Sequence, residues 1–197
     1  MRKGFFIAIY GVNNIGKSTH AKRLVDWLKT GGRKAYYLKY PVYDLEPTGP
    51  AINAILRSDN KQTLSEEELQ RLFMKNRKDF EPKLQELIDD GFVVVAEDYT
   101  GTGIAWGTAK GLDLPFMEKL NEGLIKEDLA ILITGTRDIR AIEKHHIHER
   151  NNRLVEIVAK TLSELGEKYG WKKVVLQDKI DDTAKLIREA VGDKLGL

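Results

Sequence analysis

The sequence of 197 residues contains no cysteine. This absence excludes a disulfide scaffold, a zinc site with cysteine ligands and a catalytic thiolate. A chain of this length can bury a large hydrophobic core without such cross-links, and its length predicts one domain that spans residues 1–197. A chain without cysteine also fits the reducing cytoplasm, and we predict that location.

The sequence also lacks long hydrophobic runs and a charge of one sign. No segment approaches the roughly 20 apolar residues that a membrane-spanning helix needs. The apolar run 5–10 follows Arg2 and Lys3, but it is too short for an export signal and ends at Gly11. The 32 basic and 30 acidic residues leave a net charge of +2, which argues against binding to nucleic acid or to a membrane surface.

Short apolar segments alternate with helical patterns along the chain. Segments rich in β-forming residues predict strands at 5–10, 35–40, 92–96, 129–133 and 173–176. Helical spacing predicts a long helix that begins at residue 65 and further helices at 17–30, 51–56, 153–169 and 182–191. Apolar strands without polar alternation are typical of a sheet that is covered on both faces. The alternation therefore predicts an α/β fold with a largely parallel, doubly wound sheet.

The long helix carries two residues that could bind one ligand together. Ser65 is its predicted N-cap, because three glutamates follow in the first turn, and Pro82 is expected to bend or split it. Phe73 and Arg77 are four residues apart and therefore share one face. A flat ring and a cation with paired donors could hold the base and the phosphate of one nucleotide. Periodicity alone favours core packing for Phe73 and solvent exposure for Arg77.

The segment Gly11–Ser18, with the sequence GVNNIGKS, matches the phosphate-loop pattern G-x-x-x-x-G-K-[ST]. It follows the first predicted strand and opens the first predicted helix, which is the context that the pattern requires. Backbone N–H groups of such a loop point at an anion, and the helix dipole adds positive potential. Lys17 would reach the β and γ phosphates, and the Ser18 hydroxyl would be an oxygen ligand for Mg²⁺. The predicted nucleotide-binding residues are Gly11, Asn13, Asn14, Ile15, Gly16, Lys17, Ser18 and Thr19.

Several weaker motifs keep the spacing of one known family. They are Lys39–Pro41 after the second strand, Phe73 with Asn76 and Arg77 on the long helix, Glu97–Trp106 after the third strand, Gly123–Leu129 before the fourth, and His148–Arg150. With the phosphate loop, these motifs extend over nearly the whole chain. On these residues the sequence resembles the thymidylate kinase family of P-loop nucleoside monophosphate kinases. The resemblance implies the P-loop NTPase fold, an α/β fold with a five-stranded parallel sheet flanked by helices on both faces.

The resemblance also implies a role for each matching residue. The catalytic residues would be Lys17, Glu97 and Arg150, and the ligands of the metal ion would be Ser18 and Glu97. Phe73 would stack on thymine and Arg77 would hold the acceptor phosphate. The complete set that binds the acceptor would be Tyr40, Phe73, Arg77, Tyr99, Thr102 and Trp106. A lid at about residues 134–152 would close over the phosphates through Arg150, together with Arg137 and Lys144.

The implied reaction is transfer of the γ-phosphoryl group of MgATP to a pyrimidine deoxynucleoside monophosphate. The favoured acceptor is dTMP, which would become dTDP in nucleotide biosynthesis. The implied cofactors are ATP and Mg²⁺. The implied partners are small-molecule nucleotides and a second copy of the chain in a cytoplasmic homodimer, without nucleic acid or membrane.

The main departure from the family lies at Asp98. The family normally has Asp-Arg where this chain has Glu97-Asp98, so a carboxylate replaces a cation. An acid about 4 Å from a phosphate oxygen is repelled by roughly 4 kcal/mol at an effective dielectric constant of 20. Three interpretations follow: Asp98 points away from the phosphates, a lid cation compensates for it, or phosphate transfer is impaired.

Three alternative functions stay open at this point, of which a nucleotide-dependent switch is disfavoured because the chain lacks evident guanine-reading motifs. In a deoxynucleoside kinase, Glu97 would act as the general base on a 5′-hydroxyl group. In a catalytically impaired relative of thymidylate kinase, the same pocket would bind nucleotides without transferring phosphate. The histidines at 145, 146 and 148 are interpreted as lid residues and not as a zinc site, because no cysteine is available and the segment is already basic.

Overall fold

Five parallel strands form one sheet in the computed structural model, which describes residues 3–57, 64–136 and 152–196. The strands are β1 (Phe5–Tyr10), β2 (Ala35–Lys39), β3 (Val93–Glu97), β4 (Leu129–Thr134) and β5 (Lys172–Val175). Their order across the sheet is β2-β3-β1-β4-β5, and every neighbouring pair is parallel. Parallel neighbours need crossover connections, which helices provide here. The predicted five-stranded parallel α/β sheet is confirmed.

Seven helices connect and follow the strands within the described residues. They are α1 (Lys17–Thr30), α2 (Thr48–Leu56), α3 (Glu66–Asp89), α4 (Thr100–Ala109), α5 (Leu114–Leu120), α6 (Asn152–Tyr169) and α7 (Ile180–Leu195). Helix α1 packs against α7, whereas α4 packs against α3, α5 and α6. These two groups are the helical layers expected of a doubly wound sheet. None of the described helices combines the length and the apolar character that a membrane crossing needs.

The three central strands form the hydrophobic core. In β1 the residues Phe6–Tyr10 have no solvent exposure, and every residue of β3 is buried. Both faces of these strands are covered by helices, so an uninterrupted apolar sequence is favourable there. Strand β5 lies at the edge, and only Val174 of its four residues is buried.

Helix α3 begins with a complete capping box. The Ser65 hydroxyl accepts a hydrogen bond from the Glu68 backbone N–H at 3.3 Å, and the Glu68 carboxylate accepts one from the Ser65 backbone N–H at 2.8 Å. The predicted N-cap is therefore confirmed. A split at Pro82 does not occur, because the helix runs without interruption through Pro82 to Asp89. One continuous helix thus carries both Phe73 and Arg77.

Helices α4 and α5 were not predicted from the sequence. Helix α4 contains three glycines among ten residues, a composition with poor intrinsic helix propensity. All three glycines permit close packing. A Cβ atom at Gly101 would lie 2.4 Å from Cη2 of Trp171, one at Gly103 would lie 2.4 Å from Nη2 of Arg77, and one at Gly107 would lie 2.6 Å from Sδ of Met117. Tertiary packing therefore stabilises a helix that local propensity does not favour.

Asn76 fixes the segment after β2 to helix α3. Its side chain is fully buried and donates hydrogen bonds to the Val42 carbonyl oxygen at 3.0 Å and to the Thr48 hydroxyl at 2.9 Å. It also accepts a hydrogen bond from the Val42 backbone N–H at 2.7 Å. These bonds fasten the segment that follows Tyr40 and Pro41 to helix α3.

The variant Asn76→Ala is expected to lower the free energy of unfolding by about 1–3 kcal/mol, because it removes the acceptor of the partly buried Val42 backbone N–H and the amide donor to Thr48. Urea denaturation measures this loss. Asn53→Ala is the control, since Asn53 is exposed on α2 and its substitution should change the stability by less than about 0.5 kcal/mol. Equal effects of the two variants would contradict the assigned role of Asn76.

Candidate active site

The phosphate loop and the turn after β3 meet at one edge of the sheet. Strands β1 and β3 are neighbours, and Ile9 is paired with Glu97. The segments that follow the two strands therefore leave the sheet side by side. Ligands of open α/β sheets bind at this carboxyl edge. A cavity of about 490 Å³ opens there, which is a suitable size for a small-molecule ligand. It is lined by residues of the phosphate loop, β2, α3 and α4.

Lys17 lies across the concave side of the phosphate loop. Its Nζ atom donates hydrogen bonds to the carbonyl oxygens of Gly11 at 2.9 Å and Val12 at 3.0 Å, and the residue is 5% exposed. Gly16 takes a φ of 94°, a left-handed conformation that favours glycine, immediately before α1 begins. The loop thus has the strand–turn–helix geometry that the sequence pattern requires.

Most of the predicted nucleotide-binding residues line the cavity: Asn13, Asn14, Gly16, Lys17, Ser18 and Thr19. Gly11 and Ile15 do not line it. Ile15 is 3% exposed and belongs to the hydrophobic core, and a Cβ atom at Gly11 would lie only 2.8 Å from Cγ2 of Ile15. These two residues therefore support the loop on the side that faces away from the cavity.

Glu97 is surrounded by groups that favour its ionised form. Its carboxylate accepts hydrogen bonds from the Ser18 hydroxyl at 2.7 Å and from the Tyr37 hydroxyl, and Nζ of Lys39 lies 3.2 Å away. Burial alone would raise the pKa of Glu97, but Lys39 and the hydrogen bonds from Tyr37 and Ser18 outweigh it, so that pKa lies below its usual value. Glu97 is therefore a carboxylate at neutral pH.

The paired oxygens of Ser18 and Glu97 fit a magnesium ion. Mg²⁺ prefers hard oxygen ligands and is usually bound through one or two protein groups together with substrate phosphates and water. The described residues contain no cluster of three or more acidic, histidine or cysteine side chains suited to a metal ion. A hydroxyl and one carboxylate at the phosphate loop therefore suit a metal ion that arrives with a nucleotide.

Asp98 faces the phosphate loop and does not point away from it. Its Oδ1 atom lies 3.6 Å from Nζ of Lys17 and accepts a hydrogen bond from the Thr102 hydroxyl at 2.7 Å. Burial raises the pKa of Asp98 above its usual value, although Lys17 acts in the opposite direction. The first of the three interpretations drawn from the sequence is therefore wrong.

Aromatic side chains form part of the cavity wall, and all the predicted acceptor residues line the cavity. Tyr40, Tyr99 and Trp106 are almost fully buried, and the Tyr40 and Tyr99 rings are 5.1 Å apart. Phe73 is only half-buried and lines the cavity, whereas its neighbour Met74 packs against the core. Core packing, which periodicity favoured for Phe73, is therefore not its environment. A half-exposed ring beside a cavity is available for stacking on a flat ligand.

Arg77 is a buried cation without an acidic partner in the part of the chain that the structure describes. It is 6% exposed, its Nη1 donates to the Asn121 side chain at 3.0 Å, and its Nε has no hydrogen-bond partner. Burial lowers the pKa of the Arg77 guanidinium from its usual value. A buried charge is costly unless it is paired, and Arg77 lines the cavity. The site therefore favours a ligand with anionic or carbonyl oxygens beside Arg77.

The sequence reasoning missed Tyr37, Gln70 and Asn121, and it noted Lys39 only as part of the Lys39–Pro41 motif, without a role. Tyr37 and Lys39 are two residues apart on β2, and Lys39 is paired with Glu97 in the sheet. Gln70 precedes Arg77 by seven residues, two turns of the same helix, so helical spacing could have found it. Asn121 carries no local signal, because only the fold brings it to Arg77.

The basic lid residues lie outside the described residues. These are Arg137, Arg140, Lys144 and Arg150, together with the histidines at 145, 146 and 148. The predicted catalytic role of Arg150 and the lid at 134–152 therefore stay predictions.

Comparison with known proteins identifies the family. The family model described as thymidylate kinase matches residues 9–187. The chain belongs to the thymidylate kinase family. The phosphate loop, Phe73, Arg77 and the segment after β3, on which the resemblance rested, border one cavity in this chain.

Curated members of the family resemble the chain over different spans. A putative thymidylate kinase of Invertebrate iridescent virus 6 is 33% identical over 68% of this chain, a match that spans only 61% of the viral protein. The thymidylate kinase of Arabidopsis thaliana is 27% identical over 98% of this chain and 73% of its own length. The thymidylate kinase of Brachyspira hyodysenteriae is 32% identical over 85% of this chain and 83% of its own length.

A solved thymidylate kinase from Candida albicans has the same fold. The two structures superpose with a TM-score of 0.83 over 98% of this chain and 94% of the Candida chain. Their sequences are 23% identical. The P-loop NTPase fold that the resemblance implied is confirmed.

The variant Gly103→Ala is expected to displace the Arg77 guanidinium, because the new Cβ atom would lie 2.4 Å from Nη2. Overpacking of this kind should lower the free energy of unfolding by about 1–3 kcal/mol, as measured by urea denaturation. Gly31→Ala is the control: Gly31 has a φ of −77° and its added Cβ would be no closer than 3.5 Å to another atom. A Gly103→Ala variant as stable as the control would contradict the close packing of α4 on Arg77.

Proposed function

We propose that this protein transfers the γ-phosphoryl group of ATP to dTMP and releases ADP and dTDP. One observation carries the proposal: a single cavity connects the phosphate loop, the Glu97 carboxylate, the half-exposed Phe73 ring and the buried Arg77 guanidinium. The loop suits a triphosphate, and the aromatic end suits a flat nucleobase. Phosphoryl transfer needs little beyond positioning and charge neutralisation, so no protein nucleophile is required.

The donor side uses the phosphate loop. In our proposal Lys17 exchanges its hydrogen bonds to Gly11 and Val12 for the β and γ phosphate oxygens of ATP. Ser18 and Glu97 hold Mg²⁺, which supplies charge neutralisation at the transferred phosphate when it is bound. Lys39 and Tyr37 keep the Glu97 carboxylate ionised and oriented toward Ser18.

The acceptor side lies between α3 and α4. Phe73 stacks on the thymine ring, while Tyr40, Tyr99 and Trp106 enclose the nucleoside. Arg77 binds the acceptor through guanidinium donors whose fork geometry suits phosphate oxygens. The homodimer, the cytoplasmic location and the closure of Arg150 over the phosphates stay predictions from the sequence.

The position of Asp98 supports a second candidate acceptor. A carboxylate 3.6 Å from the phosphate-loop lysine repels a dianionic monophosphate, whereas it does not repel the neutral 5′-hydroxyl of a deoxynucleoside. In that reaction Glu97 would accept the hydroxyl proton. Steady-state assays with thymidine and dTMP, each at saturating MgATP, separate the two candidates. Transfer to thymidine without transfer to dTMP would replace our first proposal by the second.

The variants Lys17→Ala and Arg77→Ala test the two halves of the proposed site. Loss of Lys17 should lower kcat by at least about a thousandfold, because it removes charge stabilisation of the transferred phosphate. Loss of Arg77 should mainly raise KM for dTMP, by about tenfold or more, since it removes binding of the acceptor. A coupled assay for ADP measures both.

The matched controls for this pair are Lys29→Ala and Arg71→Ala, at exposed positions on α1 and α3. Each should leave kcat and KM within about twofold of the parent, as expected for exposed helix residues. An unchanged KM in Arg77→Ala would remove Arg77 from the acceptor site. Full activity in Lys17→Ala would contradict the assignment of the phosphate loop.

The variant Asp98→Asn is expected to tighten binding of dTMP. Removing a charge about 4 Å from a phosphate oxygen relieves up to roughly 4 kcal/mol of repulsion, so Kd should fall by at least about tenfold. The amide oxygen of asparagine can still accept the hydrogen bond from Thr102. Isothermal titration measures Kd, with neutral thymidine as the control ligand whose Kd should not change. Equal Kd values for dTMP in parent and variant would place the acceptor phosphate away from Asp98.

A further inference from the structure

A buried amide of helix α3 borders the cavity and has no assigned role. Gln70 is 1% exposed and lines the cavity. Its Nε2 donates a hydrogen bond to Oε1 of Glu66 at 2.8 Å. The other carboxylate oxygen of Glu66 accepts a hydrogen bond from Lys110, at the end of α4, at 2.8 Å. This chain of contacts joins α3 to α4 and holds the Gln70 amide in place.

The carboxylate of Glu66 determines which end of the amide is available. A carboxylate only accepts hydrogen bonds, so the NH₂ group of Gln70 must face Glu66 and Oε1 must face the other way. Oε1 is buried and has no hydrogen-bond partner among the residues that the structure describes. An unsatisfied buried acceptor is unfavourable and uncommon in folded proteins. A ligand with an N–H group would satisfy it.

The neighbours of Gln70 indicate which part of a ligand it meets. Phe73 follows Gln70 by three residues and Arg77 by seven, so all three lie on one face of α3 and all line the cavity. Phe73 is the stacking platform of the proposed function. Gln70 therefore lies one helical turn from the position proposed for the base, where the edge of a stacked ring would reach it.

We propose that Gln70 determines base specificity by accepting a hydrogen bond from N3–H of the thymine ring. This inference rests on the proposed function. Thymine and uracil carry a donor at N3, whereas cytosine carries a lone pair there, which a fixed acceptor disfavours. Sites that satisfy a buried polar group through the substrate reject analogues lacking the partner by large factors. Gln70 is thus a specificity-determining residue, and the Glu66–Lys110 pair positions it.

A cycle that combines one change in the enzyme with one change in the substrate tests this proposal. The parent protein and Gln70→Met are assayed with dTMP and with N3-methyl-dTMP, which lacks the donor at N3. The parent should prefer dTMP in kcat/KM by at least about tenfold, and Gln70→Met should lose most of that preference. The variant should lower kcat/KM for dTMP by about tenfold and change it for the methylated analogue by less than about threefold.

Gln85→Met is the matched control. Gln85 lies exposed on α3 and donates to Asp89, four residues later, at 2.9 Å, whereas Gln70 donates to Glu66, four residues earlier. Gln85→Met should leave kcat/KM unchanged for both dTMP and N3-methyl-dTMP. Thermal unfolding of each variant separates a loss of stability from a change in preference, because a structural role alone would lower activity with both substrates equally.

Three results would overturn the proposal. They are an unchanged preference in Gln70→Met, an equal loss with both substrates, and a selective loss of binding to dCMP, which would indicate that Oε1 accepts from the cytosine amine. If the parent transfers phosphate to neither dTMP nor thymidine, the proposed function fails. In that case, isothermal titration of the parent and Gln70→Met with dTMP and N3-methyl-dTMP gives the Kd values that decide the role of Gln70 in base recognition.

Discussion

The parallel pairing of β1 with β3 is the constraint on which the whole site depends. It places the phosphate loop and the Glu97-Asp98 turn at one edge of the sheet. Lys17 contacts both, through the Gly11 carbonyl oxygen on one side and the Asp98 carboxylate on the other. Both strands are buried on each face, so core packing fixes these groups with the rigidity of a close-packed interior. The cavity between α3 and α4 opens beside this fixed edge.

The charges at that edge are nearly balanced before any ligand binds. Two cations, Lys17 and Lys39, lie against two carboxylates, Glu97 and Asp98. The resemblance implies an arginine at position 98, which would carry +1 where the aspartate carries −1, a difference of two units of local charge. Acceptor binding must therefore overcome or exploit the Asp98 carboxylate, which lies 3.6 Å from the Lys17 ammonium group. This difference makes the charge of the acceptor the property that distinguishes the two candidate reactions.

The sequence predicted those parts of the protein that local patterns control. Strands, the phosphate loop and the N-cap at Ser65 each leave a signal within a few residues. Phe73 was harder to interpret, because an apolar ring at helical spacing faces either the core or an apolar cavity, and periodicity does not separate the two. Helix α4 was missed because its glycines serve close packing against Arg77 and Met117. Asn121 and Tyr37 reach the site only through tertiary structure.

The central claim is that the backbone of the loop 11–18 and Lys17 bind a nucleoside triphosphate. A crystal structure with a non-hydrolysable ATP analogue and Mg²⁺ in excess tests it most directly. Our account predicts β and γ phosphate oxygens within hydrogen-bond distance of Lys17 Nζ and the loop N–H groups, with Ser18 and Glu97 at the metal ion. A structure in which the triphosphate lies elsewhere, or in which Lys17 keeps its bonds to Gly11 and Val12, would contradict the account.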